Sequence, residues 1–171
     1  MKVAFIIGHN PYSKGAFSNY FNDFEFDFWS SFSSNLESFG DVFIHDNKLG
    51  YTSRQKEMAK KTRDYDLVFE LHFNAANKLA HGCEALYYYA NEKSRKLCES
   101  FCSDFTQRTG IKNRGAKRLV DKTERGFGFV YYQKPAAVIL EPFFGDNEVD
   151  CSLFSIDDFV KSLKKVINDF K

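Results

Sequence analysis

The sequence predicts an α/β domain with a mostly parallel or mixed central sheet and helices on both faces. Short β-branched and aromatic runs alternate with longer segments whose apolar residues recur every three or four positions. At 156–170, Phe159, Val160, Leu163, Val166, Ile167 and Phe170 fall on one stripe with lysines opposite, the pattern of a helix laid over a sheet. No internal repeat, low-complexity tract or Pro/Gly/Ser-rich linker divides the 171 residues, so one domain over 1–171 is expected.

Residues 2–7 form a β-branched and aromatic run that stops at Gly8, which suits a buried strand feeding a polar loop. Positions 25–39 predict a helix on the spacing of Phe28, Trp29, Phe32, Leu36 and Phe39, with Gly40 where a helix stop is expected. Residues 41–45 read as a second strand. Thr52 and Ser53 are placed to cap a basic, weakly amphipathic helix running to about Arg63. Strand-type residues follow over 66–73, interrupted by Glu70 and His72, and polar residues inside a strand need a reason. Residues 83–89 form a further strand along which Tyr87, Tyr88 and Tyr89 alternate between core and surface. A helix over 92–109 ends at Gly110, the apolar strand 136–140 follows, and the stripe at 156–170 closes the order.

Composition narrows the function. With 24 basic and 23 acidic residues the formal charge is +1, so no net field favours nucleic acid or anionic lipid, and no nucleic-acid partner is expected. The apolar run at 3–7 is too short for a signal-peptide core or a membrane span. The expectation is a chain made soluble in the cytoplasm without a signal peptide and without membrane insertion, with a monomer favoured. Hydrophobic residues make up 43% and aromatics 18%, including 20 Phe, a globular composition with aromatic-heavy packing. Cys83, Cys98, Cys102 and Cys151 lack the paired spacings of a structural zinc site and read as buried thiols.

Sites in such sheets gather at the strand C-terminal ends, and His9, His72 and Glu141 all fall at or within two residues of one. A catalytic zinc site takes three ligands from imidazoles and carboxylates and leaves a fourth position open. His9, in the loop after the first strand, Glu25, in the first turn of the next helix, and His72 are able to supply them to one zinc ion (Zn2+). Glu141 then stands where a general base is needed. Taken singly, His9 has a plain structural reading and Glu25 a capping or helix-dipole reading. Asp23 and Asp27 flank Glu25, leaving the identity of that ligand open.

Five segments change that balance. IIGHNPYSKGAFS, EFDFWSSFSSNL, DLVFELHFNAAN, HGCEALYYY and AVILEPFFGDN occur in this order. Together they resemble the zinc-dependent N-acetylmuramoyl-L-alanine amidase family over residues 3–168, although NPYSKG stands where the family usually has further glycines. The resemblance implies that His9, Glu25 and His72 bind zinc and that Glu141 is the catalytic base. The implied reaction is hydrolysis of the amide joining the N-acetylmuramic acid lactyl group to L-alanine in peptidoglycan. With no separate wall-binding module expected, two roles fit: a phage endolysin reaching the wall through a separate holin-like pore, which is favoured, or a bacterial enzyme exported by other means. The alternatives are a zinc peptidase cutting within the stem peptide and a non-catalytic peptidoglycan-binding protein. Asn74 either hydrogen-bonds near the metal or fixes the strand-end turn. Arg114, with Lys117 and Arg118, either pairs with stem-peptide carboxylates or sits in a solvated loop. His45 and His81 are expected to be structural or incidental.

Overall fold

Strand β1 (Val3–Ile7) is buried at every position because both its faces are covered. Val3, Phe5 and Ile7 enter one apolar layer, and Ala4 and Ile6 enter another, the period of two that a pleated strand imposes. The computed structural model describes residues 1–45 and 48–171. The hairpin β2 (Phe17–Ser18) and β3 (Asp23–Phe24) leads into α1 (Glu25–Ser31) and α2 (Ser33–Glu37). Then come β4 (Asp41–Ile44), α3 (Tyr51–Lys61), β5 (Leu67–Leu71), β6 (Cys83–Tyr88), α4 (Glu92–Thr109) and β7 (Asn113–Leu119). The chain closes through α5 (Phe127–Tyr132), β8 (Ala136–Glu141), α6 (Glu148–Leu153) and α7 (Ile156–Asp169).

The sheet order is β4-β1-β5-β8-β6-β7. The first four strands are parallel, β6 is antiparallel to β8, and β7 is parallel to β6. The α/β expectation with a mixed sheet is met. Residues of α1, α2, α4 and α7 build the larger apolar layer on one face. Met58 of α3 with Phe127, Phe129 and Val130 of α5 builds the smaller one opposite. All four cysteines are buried free thiols, as expected, and Gly110 ends α4 in the left-handed conformation (φ 79°). Among the described residues no helix is long and apolar enough to cross a membrane.

The structure departs from the expected elements in four places. The helix expected over 25–39 breaks at Phe32 (φ −99°, ψ 8°). Serines at 30, 31, 33 and 34 surround the break, and Ser31 Oγ donates to the carbonyl of Phe28, the local competition that makes serine a weak helix former. Gly40 is no left-handed stop: a Cβ there would lie 2.6 Å from the Phe5 ring. Helix α3 starts at Tyr51, with Gly50 in the capping position and no side-chain cap bond, so Thr52 and Ser53 lie inside its first turn. The NRGAKR segment is an edge strand, β7, and not a loop. Its basic residues hide the strand pattern, and charge on an edge is how proteins discourage pairing with other sheets.

The larger layer is held by rings. Phe159, with no exposed surface, packs 4.9 Å from Trp29 and 5.6 Å from Phe101, centroid to centroid. Replacing it with alanine leaves a void that its neighbours on α1 and α4 cannot all move to fill. Phe159→Ala is expected to cost about 3–5 kcal/mol, read as a lower urea midpoint with an unchanged slope.

Candidate active site

Strands β4 and β5 lie on opposite sides of β1, so the connections leaving β1 and β5 diverge and open a crevice at the C-terminal edge. His9 lies two residues beyond β1, His72 one residue beyond β5, and Glu141 is the last residue of β8. Antiparallel β6 begins at the same edge, and its register sets Glu84 beside Glu141. These groups line a cleft of ≈ 770 Å³.

Glu25, the first residue of α1, is the group on which the others converge. Its Oε1 lies 2.6 Å from Nδ1 of His72 and its Oε2 3.1 Å from Nε2 of His9. Backbone N–H groups of Phe73 (3.2 Å) and Ala16 (3.3 Å) donate to the same two oxygens. With 4% exposure, the carboxylate is fixed by four partners. Its acidic neighbours are engaged elsewhere: Asp27 pairs with Lys14 at 2.7 Å, and Asp23 accepts from the backbone of Phe24. Of the three acidic residues, Glu25 is the one the structure brings to both histidines.

One donor atom from each of His9, Glu25 and His72 lies within 4.8 Å of the others. The backbone is shaped around this cluster. His9 adopts φ 64°, a left-handed conformation that costs a non-glycine residue about 1–3 kcal/mol. The Arg54 guanidinium donates to the His9 carbonyl, and the Asn10 side chain accepts from the N–H groups of Tyr12 and Ser13, holding the loop. A Cβ on Gly8 would lie 2.5 Å from Nε2 of His72, and one on Gly15 would lie 2.6 Å from Oε2 of Glu25. Two imidazoles and one carboxylate are the donor types of a catalytic zinc site. Side-chain exposures of 23% for His9 and 18% for His72 leave the cluster open on the cleft side. These residues fit a zinc ion.

Charge follows position. Burial alone would raise the Glu25 carboxyl, but His72 and His9 outweigh it and hold the group down at about 2. Burial works against a charged His72, yet Glu25 and Glu70 push its pKa well above the ordinary value. Glu141 is raised to about 7, first by burial and then by the Glu84 and Glu25 carboxylates, against the pull of His72 and Arg125.

A model of the N-acetylmuramoyl-L-alanine amidase family matches residues 3–169. The chain belongs to that family. Among solved structures, the catalytic domain of the CD27L endolysin targeting Clostridia difficile superposes with a TM-score of 0.77 at 24% identity, covering 99% of this chain and 97% of that one. An N-acetylmuramoyl-L-alanine amidase from Clostridium difficile 630 gives 0.76 at 17% identity, covering 99% and 96%. The catalytic domain of the amidase CwlV from Bacillus (Paenibacillus) polymyxa var. colistinus gives 0.76 at 20%, covering 99% and 98%. No curated protein sequence gives a significant match. The amidase-family resemblance drawn from five short motifs is thus met over nearly the whole chain.

The remaining expected site residues divide. Asn74 lines the cleft, and its Nδ2 donates to Oε1 of Glu84 at 2.7 Å. Its backbone also joins the strand-end turn, donating to Phe143 and accepting from Gly145. Arg114 is already engaged: its Nε lies 2.7 Å from Oε2 of Glu84, and its guanidinium sits over the Phe144 ring. A substrate carboxylate at Arg114 would compete with that pair. Lys122 and Arg125, to which the sequence reading gave no role, are the basic groups that do line the cleft, with Arg54. Glu84 was present in the HGCEALYYY motif, but only the β6–β8 register shows it beside Glu141. His81 is exposed, whereas His45 is 2% exposed.

Gly15→Ala, which also meets an unfavourable φ of +82°, is expected to leave a folded protein that no longer takes up zinc, checked by circular dichroism and metal analysis. The Glu25–His72 pair also makes the stability of the metal-free protein depend on pH. A carboxylate held at about 2 contributes stability that is full above its ordinary 4.5 and is lost as pH falls toward 2. The raised His72 contributes stability that is full below its ordinary 6.5 and is lost as pH rises through its folded-state value. The gap in melting temperature between wild type and Glu25→Gln, measured in chelator, is therefore expected to be widest between about pH 4.5 and 6.5.

Proposed function

We propose that this chain is a zinc-dependent amidase that hydrolyses the bond between the lactyl group of N-acetylmuramic acid and the L-alanine of the stem peptide. The observation that carries the reading is the convergence of His9, Glu25 and His72 donor atoms within 4.8 Å in a cleft that Glu141 also lines. In this reading His9, Glu25 and His72 hold the ion and Glu141 is the catalytic base. When bound there, zinc supplies a Lewis acid for the amide carbonyl and acidifies a nearby water.

The chain's own residues do the rest. Glu141 takes a proton from the attacking water and delivers it to the departing alanine amine, one carboxyl serving as base and then as acid. Its elevated pKa in the metal-free protein suits a group that must both accept and give up a proton near neutrality. Glu84, tied to Asn74 and Arg114, stays fixed beside Glu141 and keeps its own charge compensated. Lys122 and Arg125 at the cleft wall offer charge-assisted hydrogen bonds to carboxylates of the stem peptide. We place the activity in cell lysis, as an endolysin, a reading supported by the fold shared with the CD27L catalytic domain. Delivery to the wall through a separate holin-like pore belongs to that reading.

Glu141→Gln is expected to bind zinc as the wild type does and to lose at least about 10²-fold in the rate of amide cleavage, assayed as release of new amine groups from purified peptidoglycan. A variant that keeps most of the rate removes Glu141 from the reaction.

A further inference from the structure

Glu70 lies on an inner strand of the sheet, and the positions next to it on its face are apolar. Its neighbours in register are Ile6 on β1 and Ile139 on β8, and Val68 precedes it on the same face, packed in the layer that contains Met58. It is 2% exposed. A carboxylate in such surroundings costs several kcal/mol unless its charge and lone pairs are met, and an apolar side chain would complete the layer without that cost. The partners it does have all point one way.

Oε2 of Glu70 lies 3.3 Å from Nε2 of His72. Oε1 accepts from Nε2 of Gln55 at 3.2 Å, and Gln55 is itself buried in α3 at 3% exposure. On the other side, Nε2 of His45, with no hydrogen-bond partner among the described residues, stands 3.6 Å from the same Oε1. The two nitrogens of the His72 ring thus meet different groups: Nδ1 faces Glu25 and the donor cluster, and Nε2 faces Glu70. Gly8 allows this, because any Cβ at that position would strike the Nε2 edge of the ring.

We propose that Glu70, held in place by Gln55 with His45 alongside, is a positioning residue of the metal centre: it accepts the Nε2–H of His72 and so commits Nδ1 to the ion. Carboxylates that take the outer N–H of a ligand histidine fix the tautomer and orientation of the ring, and removing them weakens metal binding by about 10- to 100-fold. The inference rests on the reading of His72 as a zinc ligand. It adds a buried link from α3 through Gln55 to the ligand, so that helix packing and metal affinity are joined.

The test has two arms on the full chain. Zinc affinity is measured for wild type and Glu70→Gln by competition with a chromogenic chelator, with melting of the metal-free forms as a control. Glutamine retains one acceptor oxygen for two donors and carries no charge, so the expected result is a loss of about 10- to 100-fold in affinity from a folded protein. Independently, long-range proton–nitrogen NMR on zinc-loaded wild type is expected to show His72 protonated at Nε2 and bound through Nδ1. This second arm decides the matter even if Glu70→Gln does not fold. Coordination through Nε2, or an affinity unchanged in Glu70→Gln, overturns the proposal while leaving the zinc reading intact. A wild-type chain that takes up no zinc removes that reading and this inference with it.

Discussion

The site depends on the placement of one carboxylate. Glu25 reaches both histidines at once, 3.1 Å from His9 and 2.6 Å from His72, and it does so from the first turn of a helix whose burial anchors it. Phe26, Phe28 and Trp29 follow it directly into the larger apolar layer, so the position of Glu25 is set by core packing. Parallel β1 and β5, paired through five successive residues, set the distance between the two histidines. The smaller layer holds the other side, and α3 supplies Arg54 to the His9 carbonyl and Gln55 to Glu70.

The price of this arrangement is visible as local strain and buried charge. A left-handed histidine, two glycines that admit no side chain, and the carboxylates of Glu25 and Glu70 with 4% and 2% exposure are unfavourable taken alone. They persist where the surrounding structure over-determines them, and they cluster around one edge of the sheet. His72 stands between the carboxylates of Glu25 and Glu70, which favour its charged form against the cost of burial. A proton and a cation would compete for the same ring nitrogen, which ties metal affinity to pH.

Much of this was legible in the sequence, for identifiable reasons. Strands β1, β5 and β8 are short apolar runs buried on both faces, a pattern that survives without knowledge of their partners, and His9, His72 and Glu141 sit at their ends. The stripe of α7 was as plain. Strand β7 was hidden because an edge strand with four charged or amide side chains among its first six residues has no apolar period. Helix α5 was missed because FGFVYY lacks a helical stripe over so short a length. Glu70 and His72 stand out in the sequence as polar residues within a strand, but the partners of Glu70, Gln55 and His45, are brought to it only by α3 and the sheet order. The Glu84–Glu141 juxtaposition required the antiparallel register of β6, which no local pattern encodes.

We propose that one zinc ion at His9, Glu25 and His72 serves cleavage of the lactyl–alanine amide. Mass spectrometry of purified peptidoglycan digested by the full chain, with chelator and with zinc restored, tests it most directly. Stem peptides with free L-alanine amino groups are expected, absent under chelation and recovered with zinc. Cuts within the stem peptide, or release that persists under chelation, would contradict it.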